Sequence, residues 1–273
     1  MLFEFRLQAL EKVEPWGGEE PSLSWFGLSD GWCWWQVGTQ ELFRYTQPVL
    51  DYWAAEYPDL QKPSPYVDYQ VVRPWEDLLH RLPDILVPIP DDLVERITDT
   101  AAWQGLQDRA WAWVEAQDDE HSWDVCNAAF LWWSERKWDA GYLRHPPKVW
   151  LWVQADTFHL RWDNRAVTLN GLPVWEATAG EITMPVTAFV EEVRSFHERF
   201  MAAMAERVAA VLSGGLRPDI EINLEWLVKE QQDRSSWLTN ALNRKPPEQE
   251  WDKAHTAINT VERMCYNNGV EGL

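Results

Sequence analysis

Nothing in this sequence approaches the ~18 consecutive apolar residues that cross a membrane as a helix. The stretch Met1 to Leu7 alternates apolar and charged residues where a secretory signal carries an apolar core. Cysteine is scarce: Cys33, Cys126 and Cys265 stand far apart, odd in number and without a CxxC pair. A disulfide framework is not expected, and reduced thiols in a cytoplasm are the natural reading. The six histidines never fall three or four residues apart and no HExxH occurs, so the usual zinc spacings are missing. Phosphate-cradling loops are missing as well, because Gly17-Gly18 and Gly214-Gly215 are too short to serve. Cys33 and Cys126 lie in aromatic or apolar runs, where a buried, inert thiol is the usual outcome. No catalytic residue, metal or cofactor is assigned on these grounds.

Cations are also in short supply. Against 24 Lys and Arg stand 44 Asp and Glu, a net charge of −20. The imbalance is uneven, with 24 acidic and 8 basic side chains in residues 1–124 but 20 and 16 in residues 125–273. Such a surface repels nucleic acid and anionic lipid and attracts cationic proteins. What the sequence has in excess is tryptophan, 21 of 273 residues. Each indole buries a large area and seeks a partner for its N–H, so most belong to cores.

Phe3, Phe5 and Leu7 alternate with Glu4 and Arg6 as in a half-buried strand. Aromatic runs on either side of Ser29-Asp30-Gly31 have the pattern of a β-hairpin between Ser22 and Val37. Leu42 to Tyr57, interrupted by Pro48, reads as a short or broken helix, residues 58–66 as a connector and Tyr66 to Val72 as a brief strand. Pro74 opens a helix that Pro83 ends, and Asp91-Asp92 starts another carried to Val114. After a polar break at 117–122, with Ser122 or Asp124 as cap, Trp123 to Trp138 is a central helix. His145-Pro146-Pro147 then leads to a second hairpin, Val149 to Val153 with Thr157 to Trp162. The last third is helical, with one helix from Pro185 to Leu212 and one capped by Asn223 that runs to Leu242. A final helix follows Pro246-Pro247 from Trp251. The expected fold is α+β, antiparallel β-hairpins or sheet packed against a mainly helical remainder. One integrated unit over 1–273 is expected, divisible into an acidic β/α part (1–145) and a hairpin-plus-three-helix part (146–273).

Five stretches carry a resemblance: Pro15-Trp16-Gly17-Gly18, Trp25 to Trp32 (WFGLSDGW), Tyr66 to Gln70 (YVDYQ), Arg161 to Arg165 (RWDNR) and Ala203 to Val211 (AMAERVAAV). In this order they resemble a bacterial family of unknown function, over nearly the whole chain. The resemblance implies one integrated unit and brings no activity, so no functional residue is carried over.

The residues themselves point to partner binding in a cytoplasm, an acidic inhibitory protein such as the immunity partner of a basic bacterial toxin. Steering by charge and anchoring by aromatic rings supply speed and affinity. Asp91, Asp92, Asp118, Asp119 and Glu120 are the expected acidic patch, with Asp30 and Trp32 as an anchor loop. Neither nucleic acid nor membrane is an expected partner, and the oligomeric state is left open. The alternative is an enzyme with a carboxylate- and Trp-lined site for a glycan or small cationic substrate. Trp25, Trp32, Trp34 and Trp35 have the makings of a sugar platform, but alternation turns half of those rings inward.

Overall fold

In a computed structural model the chain is described over residues 1–58, 64–245 and 250–267. The middle of the 58–66 connector, Pro246-Pro247 and the side chain of Cys265 lie outside these residues. Strands β1 (Phe3–Leu7) and β2 (Gly31–Val37) pair antiparallel, Phe3 opposite Trp35 and Leu7 opposite Gly31. β2 turns at Gly38 into β3 (Gln40–Leu42) and also pairs with β4 (Val67–Asp68). The hairpin expected across Ser29-Asp30-Gly31 does not form, and the partner of β2 comes from the N-terminus instead. Gly31 is needed for clearance there: a Cβ would stand 2.3 Å from the carbonyl oxygen of Arg6.

The helices follow the expected order with shifted ends. Pro48 sits in the first turn of α1 (Gln47–Glu56), where its missing N–H costs nothing, instead of breaking it. Helix α2 (Val72–Ile85) continues past Pro83, which forfeits a single hydrogen bond in the last turn. The long helix expected from Asp91 is two, α3 (Asp91–Thr98) and α4 (Thr100–Gln117). Asp99 divides them, because its carboxylate accepts from Ala102 N at 2.9 Å and caps a new helix. Asp119, not Ser122 or Asp124, caps α5 (Glu120–Ser134), accepting from Ser122 N at 2.7 Å.

β5 (Val149–Gln154) and β6 (Thr157–Asp163) form the second hairpin as expected. A small ladder, β7 (Thr168–Leu169) with β8 (Leu172–Pro173), precedes β9 (Ala179–Pro185), an edge strand on β6 with no counterpart in the sequence reading. Helix α6 (Val186–Leu212) spans the molecule, and the helix capped by Asn223 divides into α7 (Leu224–Arg234) and α8 (Trp237–Asn243). α9 (Trp251–Asn267) closes the described chain. The architecture is α+β, with antiparallel sheets and a helical C-terminal region.

Two apolar clusters organise the interior. The larger takes residues from Leu2 to Ala241, on the first sheet, α2, α6, α8 and one face of β5–β6. The smaller joins α3, α4, α5 and α9. Alternation makes β5 their common wall, since Val149, Leu151 and Val153 enter the first cluster while Trp152 enters the second. α6 is pinned to both sheets by ring contacts, Phe189 on Phe158 at 3.7 Å and Phe196 on Phe3 at 5.4 Å. Buried indole N–H groups do not all find acceptors. Those of Trp25 and Trp132 bond Gln231 and Ala129 O, whereas those of Trp35 and Trp152 have no acceptor among the described residues. Trp35 stands edge-on to Trp138 at 4.3 Å and Trp152 edge-on to Trp133 at 5.5 Å, arrangements that set a positive ring edge against a π face.

Several arginines point inward. Arg199 and Arg207 reach from α6 to the carbonyls of Phe3, Leu28 and Gln8. Arg234 lies between the rings of Trp25 and Trp237, at 4.5 and 4.6 Å, and pairs with Glu76 and Glu230. Arg136 is 0% exposed. Its guanidinium donates to Trp132 O on α5 and to Val87 O after α2, and lies 5.6 Å from the Trp251 ring of α9. Its own carbonyl accepts from Leu151 N of β5. Burial lowers its pKa, and Asp84 and Glu135 work against that shift.

Two substitutions test this reading. Arg136→Met should cost about 3 kcal/mol or more in urea unfolding, because it strands two carbonyls and leaves Asp84 buried without its counter-charge. Gly31→Ala should cost about 2 kcal/mol or more by forcing β1 away from β2, and a cost under 0.5 kcal/mol would contradict the clearance role.

Candidate functional site

The residues singled out in the sequence fall into separate neighbourhoods. Asp30 leads into β2 and is half-buried; burial raises its pKa, Arg207 opposes the shift and Glu14 reinforces it. Trp32 faces outward from β2 with the Arg6 guanidinium over its ring at 5.6 Å. Asp91 and Asp92 occupy the first turn of α3, a favourable end of the helix dipole. Asp91 accepts from Gln154 Nε2 at 2.7 Å, and Asp92 lies 3.3 Å from His255 on α9. Asp118, with φ 52°, Asp119 and Glu120 make the turn between α4 and α5. The aromatic platform is not open: Trp25 and Trp35 are buried, Trp32 carries Arg6 and Trp34 stacks on Tyr66 at 4.6 Å.

Sequence reasoning misses one spacing. Gly27-Leu28-Ser29-Asp30-Gly31 fits the G-x-S-x-G of a hydrolase nucleophile elbow. Ser29 is 0% exposed in a short turn that leads into a strand, the wrong context for an elbow. Its hydroxyl donates to Phe26 O at 2.7 Å and accepts from Val72 N at 3.2 Å, fastening the start of α2. The cysteine thiols are no better placed. Cys33 and Cys126 are buried, and burial pushes the Cys33 thiol up to about 12. Among the described residues no cluster of three or more His, Cys, Asp and Glu side chains is arranged to hold a metal ion, and no helix is long and apolar enough to cross a membrane.

The acidic turn at 118–120 runs into a groove that the sequence does not announce. Glu120, Asp124, Ala128, Leu131 and Glu135 recur every three or four residues along one side of α5. The last four line the groove, opposite Trp251 and Ala254 of α9, over a volume of about 420 Å³. Leu131, one of the lining residues, is 52% exposed. Trp123, also 52% exposed, stands on α5 against Trp111 at 5.3 Å. Burial raises the pKa of Glu135, and Asp84 adds to the shift. Glu250 closes the α9 side and pairs with Lys253 at 3.0 Å. The groove thus combines apolar side chains with the carboxylates of Asp124, Glu135 and Glu250, the last of them balanced by Lys253.

A second concavity, of about 620 Å³, opens between α2 and α8. Asp77 lines it with its side chain 10% exposed and its Oδ1 3.3 Å from Arg73 Nε. Burial pushes its carboxyl up to about 7; Arg73 and the Tyr142 hydroxyl pull down, Asp139 and Glu76 push up.

The family of unknown function DUF5984 matches residues 2–257. No curated protein and no solved structure matches the chain.

Asp77 gives a pH signature. Its folded pKa of about 7 lies above the ordinary 3.8, so between those values the folded chain keeps a proton that the unfolded chain has lost. The stability contributed by this group therefore falls as pH rises from 4 to 7 and is level above that. Asp77→Asn should match the parent near pH 4 and exceed it at pH 8 by on the order of 2 kcal/mol in urea unfolding. Parallel curves for the two proteins would refute the shift.

Proposed function

We propose that the chain, which belongs to this family of unknown function, is an acidic binding protein that receives a basic partner in the α5–α9 groove. The observation that carries the reading is the groove itself. Its half-exposed Leu131 and the Trp251 flank offer apolar anchorage, while Asp124 and Glu135 add negative charge and Glu250 is balanced by Lys253. Such a surface is complementary to a cationic amphipathic segment, apolar on one side and lined with Lys or Arg on the other. The turn Asp118-Asp119-Glu120 extends the negative field from the groove toward the tip of the α4–α5 hairpin, beside the exposed Trp123. With a net charge of −20 behind it, the groove draws a cationic partner in, and the buried contacts hold it. A basic toxin kept inactive in the cytoplasm of its producer is the kind of partner this chemistry suits.

The test uses a partner captured on the immobilised chain at low salt and then purified, with binding measured on purified components. Glu120→Lys with Asp124→Lys should slow association about tenfold or more at low salt, and the difference should shrink at high salt. Leu131→Asp should weaken affinity at least tenfold, about 1.4 kcal/mol, mostly through faster dissociation. A partner whose binding ignores both changes overturns the assignment.

A further inference from the structure

The α2–α8 cleft is distinct from the groove, and its lining is bipolar. Along α2 the carboxylates Glu76 and Asp77 come first, and His80 and Arg81 follow one turn later, a rise of about 6 Å. Asp139 joins the acidic end from the loop after α5. α8 supplies the other wall, with Asn240 midway and Arg244 at the far end, where its guanidinium donates to His80 O. One Arg is already committed: Arg73 serves Asp77 and Glu76 and stacks on the Tyr142 ring at 5.5 Å. Arg244 spends one donor on His80 O, and a guanidinium carries five.

Two features ask for a ligand rather than for solvent. Asp77 lines the cleft held only by Arg73 and the Tyr142 hydroxyl, and a carboxylate has acceptor capacity beyond two donors. The volume, about 620 Å³, is in the range of small-molecule sites, with carboxylates and then cations along α2, Asp139 at the acidic end and Arg244 after α8 at the other. We propose that the α2–α8 cleft binds a small zwitterion of the amino-acid or short-peptide class, its ammonium on Asp77 and Asp139 and its carboxylate on Arg81 and Arg244. A dipeptide, about 7 Å from end to end, matches the one-turn offset between the two poles. Either half alone leaves one pole unfilled, which is why a simple diamine or a simple acid fits less well.

Binding is linked to a proton. Asp77 is faced by Arg73 and Glu76 from its own helix and by Asp139 and Tyr142 from the loop. An ammonium at this carboxyl favours its charged form, so the ligand expels the Asp77 proton at pH 6 and meets an ionised group at pH 8.

The experiment is titration calorimetry on the full chain with three probes that share one body. They are alanyl-alanine, its C-terminal amide, which lacks the carboxylate, and its N-acetyl form, which lacks the ammonium. Alanyl-alanine should bind at pH 8, about tenfold more weakly at pH 6, and at least tenfold more tightly than either blocked form. Asp77→Asn should abolish the pH dependence and Arg244→Ala should erase the preference over the amide, with circular dichroism confirming that both variants fold. If one variant fails to fold, the blocked probes on the parent chain still decide. Equal binding of the amide would reduce the cleft to a cation site, equal binding of the N-acetyl form would make it an anion site, and no saturable binding of alanyl-alanine up to 10 mM would mean no such site. Each of these outcomes overturns the proposal, and none bears on the groove between α5 and α9.

Discussion

A buried guanidinium holds the two halves of the interior together. Arg136 ties the end of α5, the chain after α2, β5 and α9 into one junction, through two donated bonds, one accepted bond and a ring contact. A charge taken out of water needs bonds for its donors and an opposite charge nearby: Nη1 and Nη2 of Arg136 donate to carbonyls, Nε has no partner among the described residues, and Asp84 and Glu135 supply the opposite charge. The geometry of everything around Arg136 is therefore dictated by the need to keep it solvated by protein. Arg199, Arg207 and Arg234 repeat the device between α6 or α7 and the first sheet or α2.

This use of arginine has an electrostatic result. The chain has only 24 cations, and several of them face inward onto carbonyls and rings. Buried acids go with them, since Asp77 and Asp84 are buried alongside Arg136 and Arg234. The same economy explains the contrast between the two concavities. On α5 the exposed stripe is acidic and apolar, whereas the α2–α8 cleft retains arginines at its rim and is nearly balanced in sign.

Much of the fold was legible because it rests on local rules. The alternation of Phe3 to Leu7, the Trp-bearing hairpin at Val149 to Trp162 and the apolar stripe of α6 all appear as strands or helix where their periods place them. What failed depended on contacts distant in sequence. Asp30-Gly31 has the composition of a hairpin turn, yet Gly31 is required by the backbone of β1 some 25 residues earlier. β9 is an edge strand whose alternation is diluted by Gly180 and Pro185, and only its pairing with β6 defines it. Asp99 and Asp119 are exceptions, because they look like surface acidity in the sequence yet act as helix caps through local bonds to Ala102 N and Ser122 N. The acidic residues at 118–120 were visible as a charge run, but the groove beside them needs α5 and α9 side by side, which no local pattern encodes. Asp77 was invisible for a similar reason. An aspartate in the first turns of a helix is ordinary until the fold brings Tyr142 and Asp139 beside it.

β5 is a strand with a different core on each face, Leu151 on one side and Trp152 on the other. Removing it would open both interiors to water at once, so neither the helical bundle nor the sheet-and-α6 body can come apart while the other stays intact. The amide hydrogens of its central residues should exchange only when the entire chain opens, at the slowest rate in the molecule. A chain built this way melts in one cooperative step rather than losing its helical bundle first.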